Sequence, residues 1–252
     1  MSEKHYNINY LENTGLFLKN LKQHSYHPFE KKRGPILDLG CGTGLDVIKM
    51  SELFHSSKII GIDHDPVMLE KGIAESKGNQ NIEFIQSESD NIPYNDGFFA
   101  GIRAERLMQH LKNPEKTIRE VYRALMPEHP FAIIETDWAG LVIYNENNGI
   151  SNKINKFLTE EKINNGYASR KLRFYLKGAD FKDINIEVFP FVLKSLKEAN
   201  EYLWLEIIIN EASEKGYLTK LEKDLFIESL RDADSENYFA CSINMVIVTS
   251  VK

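Results

Sequence analysis

The stretch Ile36-Leu37-Asp38-Leu39-Gly40-Cys41-Gly42-Thr43-Gly44 decides the fold. Its first four residues, three of them apolar, read as a buried strand. They run straight into a turn with glycine at every second position, after which Val47, Ile48, Met50 and Phe54 suit one face of a helix. Glycine admits positive φ and lets a ligand approach the backbone with no Cβ in the way. The helix that follows presents unpaired N–H groups and a partly positive end, which favours an anion. A strand, glycine turn and helix in this order place a nucleotide-type ligand site at the carboxyl end of a strand.

Working outward, short apolar runs alternate with helical patterns. Lys58–Ile62, Ile82–Ile85, Phe98–Ile102 and Phe131–Glu135 read as strands, and Met68–Ser76 and Pro114–Leu125 as helices. Beyond Trp138 the pattern predicts helix over most of Lys153–Gly178 and a strand at Ile184–Leu193. Helices at Ala199–Glu214 and Leu218–Leu230 and a closing strand at Tyr238–Val251 follow. This order predicts an α/β fold with a doubly wound, mostly parallel, seven-stranded Rossmann-like sheet. Residues 1–33 carry apolar positions at helical spacing (Leu11, Phe17, Leu18, Leu21) before Gly34-Pro35 interrupts them, and are expected to form an N-terminal helical lid. Residues 34–252 then form one domain, with a helical insertion at about 197–233 before the last strand.

Composition narrows the function. With 252 residues, 42% of them hydrophobic, the chain can bury a core without metals or disulfides, and its two cysteines do not make a disulfide framework. No apolar run is long enough for a membrane span, and Met1–His5 does not begin a signal peptide, so a cytoplasmic location without membrane association is expected. A formal net charge of -6 argues against the basic footprint that nucleic acid requires.

The ligand follows from details of the turn. The dinucleotide fingerprint is G-x-G-x-x-G; here the spacing is G-x-G-x-G, and Asp38 stands two residues before the first glycine. A carboxylate there repels a pyrophosphate and suits an ammonium group. The second strand runs into Asp63, an acceptor for both hydroxyls of a ribose. Ribose together with an amino acid points to S-adenosylmethionine.

Asp38-Leu39-Gly40-Cys41-Gly42-Thr43-Gly44 followed by Gly61-Ile62-Asp63 resembles the class I S-adenosylmethionine-dependent methyltransferases. The segment Gln86-Ser87-Glu88-Ser89-Asp90-Asn91-Ile92-Pro93-Tyr94 is similar to the loop after the third strand in their ubiquinone-methyltransferase-like (methyltransferase type 11) small-molecule branch. Phe99 to Leu111, Pro114 to Leu125, Glu135-Thr136-Asp137-Trp138 and Tyr238-Phe239-Ala240 continue the likeness. Ala100 stands where the branch often has Asp, Glu128-His129 where it often has Gly-Gly, and Ser87 where Gly is common.

The resemblance implies methyl transfer to a small-molecule O, N or C nucleophile, with S-adenosylhomocysteine as product. It implies cofactor contacts from Asp38, Gly40, Cys41, Gly42, Gly44, Asp63, His64, Met68, Glu88, Ser89 and Ala104. Glu88 would meet the adenine amino group and the Ser89 N–H would face the ring. His64 could equally be a surface histidine, Met68 helix packing and Cys41 a small filler. His110, after the fourth strand, can take a proton at neutral pH and is the candidate base or acceptor-orienting group, with Tyr6 and Tyr10 of the lid; fixing the turn is its structural alternative. Arg106, Asp137 and Trp138 are candidates for binding the acceptor; Arg103, Glu105 and Arg106 could form ion pairs or contact the substrate, and Trp138 could equally be core. No metal is expected, and a homodimer is compatible with this reading. Its rivals are a non-catalytic cofactor-binding scaffold, a nucleic-acid methyltransferase, which would often carry Asn/Asp-Pro-Pro-aromatic where Arg103-Ala104-Glu105-Arg106 stands, and a dinucleotide-dependent oxidoreductase.

Overall fold

The computed structural model describes residues 18–252. Eight strands hydrogen-bond in the order β3-β2-β1-β4-β5-β8-β6, with β7 also paired to β8. The α/β class and the mostly parallel, doubly wound sheet agree with expectation. The strand count exceeds it by one, because the two-residue strand β6 (Val142–Ile143) pairs antiparallel with the start of β8. A pair that short leaves no periodic pattern in the sequence.

The chain divides into two compact units. The larger comprises residues 20–135, 168–188 and 246–252; the smaller has its described residues at 18–19, 136–167 and 189–245. In the larger unit β1 (Ile36–Leu39) lies between β2 (Ile59–Asp63) and β4 (Gly101–Glu105), all parallel. Outside them, β3 (Ile82–Gln86) pairs with β2 and β5 (Pro130–Thr136) with β4. Helices α1 (Lys19–Tyr26), α2 (Leu45–Leu53), α3 (Pro66–Glu75) and α4 (Pro114–Ala124) alternate with the strands. α3 and α4 each begin with Pro at the first turn, capped by the side chains of Asp65 and Asn113. Strands buried on both faces are near-continuous apolar runs, as Ile36–Leu39 and Pro130–Thr136 are. One buried cluster of this unit holds Leu37, Leu39, Ile60, Ile62, Phe131 and Ile133; another holds Tyr26, Phe29, Ile36, Val47 and Ile59.

β4 begins three residues later than the Phe98–Ile102 expected. Tyr94, Phe98 and Phe99 form an aromatic cluster, and the N–H groups of both phenylalanines bond the Ala124 carbonyl at the end of α4. Those residues therefore pack like a strand without joining the ladder, apart from a bridge between Phe99 and Leu125.

One ring lies against three glycines. A Cβ on Gly44, Gly61 or Gly72 would lie 2.5, 2.9 and 2.9 Å from atoms of the Phe84 ring, so the turn, β2 and α3 all close over a single side chain of β3.

In the smaller unit, α5 (Asn148–Phe157) passes into a π-helical turn at Leu158–Lys162. The helix expected over most of Lys153–Gly178 is interrupted there and resumes as α6 (Ala168–Lys177), in the larger unit. β7 (Lys182–Leu193) precedes α7 (Leu196–Leu203), α8 (Leu205–Glu214) and α9 (Lys220–Ser235), and β8 (Cys241–Val251) closes the chain. The single helix expected over Ala199–Glu214 breaks at Trp204, whose φ of 58° is left-handed. Trp138, Ile154, Phe157, Leu205, Ile209 and Phe226 lie in the core of this unit. Among the described residues no helix is long and apolar enough to cross a membrane.

Candidate functional site

The glycine turn of the larger unit is held from β2. Gly40, Gly42 and Gly44 all have positive φ. The N–H groups of Gly40 and Cys41 donate to the Ile62 carbonyl at 2.8 and 3.0 Å, continuing the ladder past the end of β1. The Gly42 N–H then donates to Asp63 Oδ2 at 2.8 Å, while Asp63 Oδ1 accepts from the Asp65 N–H at 3.0 Å. Asp63, expected only as a ribose acceptor, is also the residue that ties the turn to β2. Among the described residues a Cβ on Gly42 would meet nothing within 4 Å, so this backbone is open to them on one side. Cys41 fills the space beside Gly61, where an added Cβ would meet its Sγ at 2.8 Å. Burial and the carboxylates of Asp38 and Asp63 push the Cys41 thiol well up, consistent with an apolar filler.

Asp38 sits in a buried charge cluster whose layout follows from strand register. Gly61, Asp38, Arg103 and Ala132 are in-register partners across β2, β1, β4 and β5. Arg103, with 0% of its surface exposed, donates from Nη1 to Asp38 Oδ1 at 3.0 Å and from Nε to Ser25 Oγ of α1 at 3.1 Å. Its Nη2 bonds Glu105 and lies 3.3 Å from Asp46 Oδ1. Lys22 Nζ reaches Asp46 at 2.5 Å and Glu105 at 3.2 Å, and the Tyr26 hydroxyl also donates to Asp46. Burial opposes ionisation of Asp46, yet the Arg103 and Lys22 charges hold its carboxyl below the usual range. Asp38 goes the other way: burial, against the partial relief of Arg103, pushes its carboxyl up to about 7.

Around the remaining predicted positions the geometry is mixed. His64 is exposed, with Nδ1 3.2 Å from Asp63 Oδ1. Met68 is buried on α3 and Ala104 is buried within β4. Glu88 is exposed, its carbonyl accepting from Asn91 N–H, and the Ser89 hydroxyl lies 3.1 Å from that of Thr117. Arg106 has a left-handed φ of 51°, donates its N–H to Ile134 and places Nε 3.4 Å from Glu105.

His110 ends a short 3-10 helix, Met108–His110, after β4. Its Nε2 is 2.9 Å from the Gln109 side-chain nitrogen. The turn is fixed from β5: Glu135, fully buried, accepts the Met108 N–H at 2.6 Å. Burial pushes the Glu135 carboxyl up to about 8, against the backbone N–H groups of Met108 and Gln109.

Asp137 and Trp138 are buried in the smaller unit, where the Asp137 N–H donates to Asn244 at 2.9 Å. Tyr6 and Tyr10 lie outside the described residues. Among the described residues no group of three or more His, Cys, Asp or Glu side chains is placed to hold a metal. Sequence reasoning did not single out Lys22, Ser25, Tyr26, Asp46 or Glu135. The available signal was a charged residue inside an apolar strand run, which Glu135 in Phe131–Glu135 supplies.

Residues 30–186 match the model of a family described as a methyltransferase domain. An uncharacterized 37.1 kDa protein in transposon TN4556 of Streptomyces fradiae is 26% identical over 195 residues, covering 77% of this chain and 56% of the relative. Demethylmenaquinone methyltransferase of Lactococcus lactis is 32% identical over 114 residues, covering 44% of this chain and 45% of that enzyme. The chain spans about half the length of these curated relatives. Among solved structures, phosphoethanolamine N-methyltransferase 2 of Haemonchus contortus, in complex with phosphomonomethylethanolamine and S-adenosylhomocysteine, superposes with a TM-score of 0.63. That match has 14% identity over 99% of this chain and 59% of that one, a likeness of fold. With the family model matched over more than half its length, the chain belongs to the methyltransferase-domain family.

Proposed function

We propose that the chain transfers a methyl group from S-adenosylmethionine to a small-molecule acceptor. The observation that carries this reading is the open glycine turn flanked by Asp38 on β1 and Asp63 at the end of β2, in a chain of this family. The residues fit the cofactor's chemistry. Asp38 has its charge only partly met by Arg103 and suits an ammonium; Asp63 retains carboxylate lone pairs for ribose hydroxyls. Gly40, Cys41, Gly42 and Gly44 offer backbone at the turn, with Ala104 on the neighbouring strand. Glu88 and the Ser89 N–H are assigned to the adenine, beside His64 and Met68.

S-adenosylmethionine, when bound, supplies a methyl group already activated on a sulfonium. The protein's task is then to hold the nucleophile in line and exclude water. His110 is assigned to orient the acceptor or take its proton, helped by Tyr6 and Tyr10, and Arg106, Asp137 and Trp138 to acceptor recognition. The acidic chain favours a small molecule over nucleic acid.

Titration calorimetry with S-adenosylmethionine, S-adenosylhomocysteine and NAD tests the cofactor; binding of NAD alone would refute it. Incubating the protein and S-adenosylmethionine with cell metabolites, and searching by mass spectrometry for the gain of one CH₂, tests the transfer. Cofactor binding with no methylated product in any fraction would favour a binding protein.

A further inference from the structure

We infer that Arg103 is a positioning residue for the amino-acid end of the cofactor: it aims Asp38 at the ammonium and shares its own charge so that Asp38 still needs a second cation. The inference deepens the cofactor reading and rests on it.

The register supplies the first part of the argument. Asp38 and Arg103 are direct partners across β1 and β4, flanked in the same row by Gly61 and Ala132. The Nη1 bond at 3.0 Å therefore fixes the Asp38 side chain on the face where the glycine turn leaves the sheet. The Arg103 fork is itself held, by Ser25 at Nε and by Glu105 at Nη2.

Charge counting supplies the second part. Arg103 touches three carboxylates, those of Asp38, Asp46 and Glu105. Lys22 is salt-bridged to Asp46 and Glu105, and Arg106 lies 3.4 Å from Glu105. Among the described residues Asp38 thus shares a single cation with two better-served carboxylates. An ammonium arriving beside the glycine turn completes its shell, whereas a neutral or anionic group does not.

A buried ion pair is weak as a source of stability, since an apolar replacement of similar volume is often no worse. Its place inside an otherwise apolar row fits a role in ligand selection. Lysine would keep the charge but not the planar fork that reaches Ser25, Asp38 and Glu105 together.

The test compares two ligands that share the nucleoside. S-adenosylhomocysteine carries the amino acid; 5′-methylthioadenosine lacks it. Calorimetry on Arg103→Lys should show affinity for S-adenosylhomocysteine reduced about tenfold or more, as for loss of an oriented hydrogen bond to a charged group, with 5′-methylthioadenosine nearly unchanged. Ser25→Ala, which removes only the Nε partner, should show a smaller loss with the same selectivity, and serves if Arg103→Lys does not fold. Equal losses for both ligands, or no loss for either, in the folded variant would overturn the inference. Wild-type protein binding neither ligand would instead overturn the cofactor reading. Wild-type protein binding both equally would leave Asp38 without a role and Arg103 with it.

Discussion

The Asp63 carboxylate and the Gly42 N–H share a 2.8 Å hydrogen bond, so the acid that ends β2 also holds the turn that follows β1. Asp63→Ala then removes two things together: the acceptor for ribose and the clamp on the turn. Loss of the ribose bonds alone should cost about 1.5–3 kcal/mol of cofactor affinity. We expect a larger loss, together with a lower melting temperature without ligand. Asp63→Asn keeps an acceptor for Gly42 and should recover most of the melting temperature but not the affinity. Calorimetry and thermal melts on both variants check this; an unchanged affinity in folded Asp63→Ala would remove the ribose assignment.

Asp38 makes cofactor binding depend on pH. Its carboxyl is pushed up to about 7 by burial, with Arg103 relieving part of that and Asp46 and Glu105 adding to it. An ammonium beside it favours the ionised form, so binding below pH 7 must expel a proton. Affinity for S-adenosylhomocysteine should rise from pH 5.5 toward about 7 and then level, by at most tenfold per pH unit. Calorimetry in buffers of different ionisation enthalpy should detect the released proton, and Asp38→Asn should abolish the release.

Glu135 controls stability rather than affinity. Burial holds its carboxyl protonated to about pH 8, while in the unfolded chain it ionises near its ordinary value of 4.5. Between those values the unfolded state sheds a proton that the folded state keeps. This stabilisation is therefore complete below the unfolded value and is lost as pH rises toward 8, at no more than about 1.4 kcal/mol per pH unit. Glu135→Gln keeps an acceptor for the Met108 N–H without an ionisable proton, and its melting temperature should fall less between pH 5 and 8. Parallel melting curves for mutant and wild type would contradict this.

His110 serves chemistry if it is the base. His110→Ala should then lower the single-turnover methyl-transfer rate by about 10²–10⁴-fold with cofactor affinity retained. If the ring only fixes the 3-10 turn through Gln109, the melting temperature should fall while the rate per folded molecule stays near normal. Both measurements on one variant separate the two.

The strand–turn–helix at residues 36–44 was readable because its parts are local: an apolar run, alternate glycines and a helical face. The register that sets Asp38 against Arg103 is not local. It joins residues 65 positions apart, and Arg103 in the sequence is one charge among several near β4. Asp46 and Lys22 are likewise ordinary polar positions on short helices until packing brings them together. The displaced start of β4 and the helix break at Trp204 escaped for another reason: tertiary packing overrode an apolar pattern that fits either conformation.

Phe84 and the glycines that surround it have an evolutionary consequence. Gly44, Gly61 and Gly72 each lack the atom that the Phe84 ring displaces, so a side chain gained at any of them needs position 84 to give way, and at Gly61 Cys41 and Val47 as well. Divergence at these sites should be correlated: lineages that replace Phe84 with a smaller residue lose the sub-3 Å clash at Gly72, whereas Gly61 stays blocked by Cys41 Sγ at 2.8 Å and Val47 Cγ2 at 2.9 Å. Gly44 should be released after Gly72, since its φ of 75° is strained for any side chain even after the ring has gone. The Gly44→Ala, Phe84→Leu double variant should for that reason recover only the steric part of the loss seen in Gly44→Ala, leaving the backbone part behind.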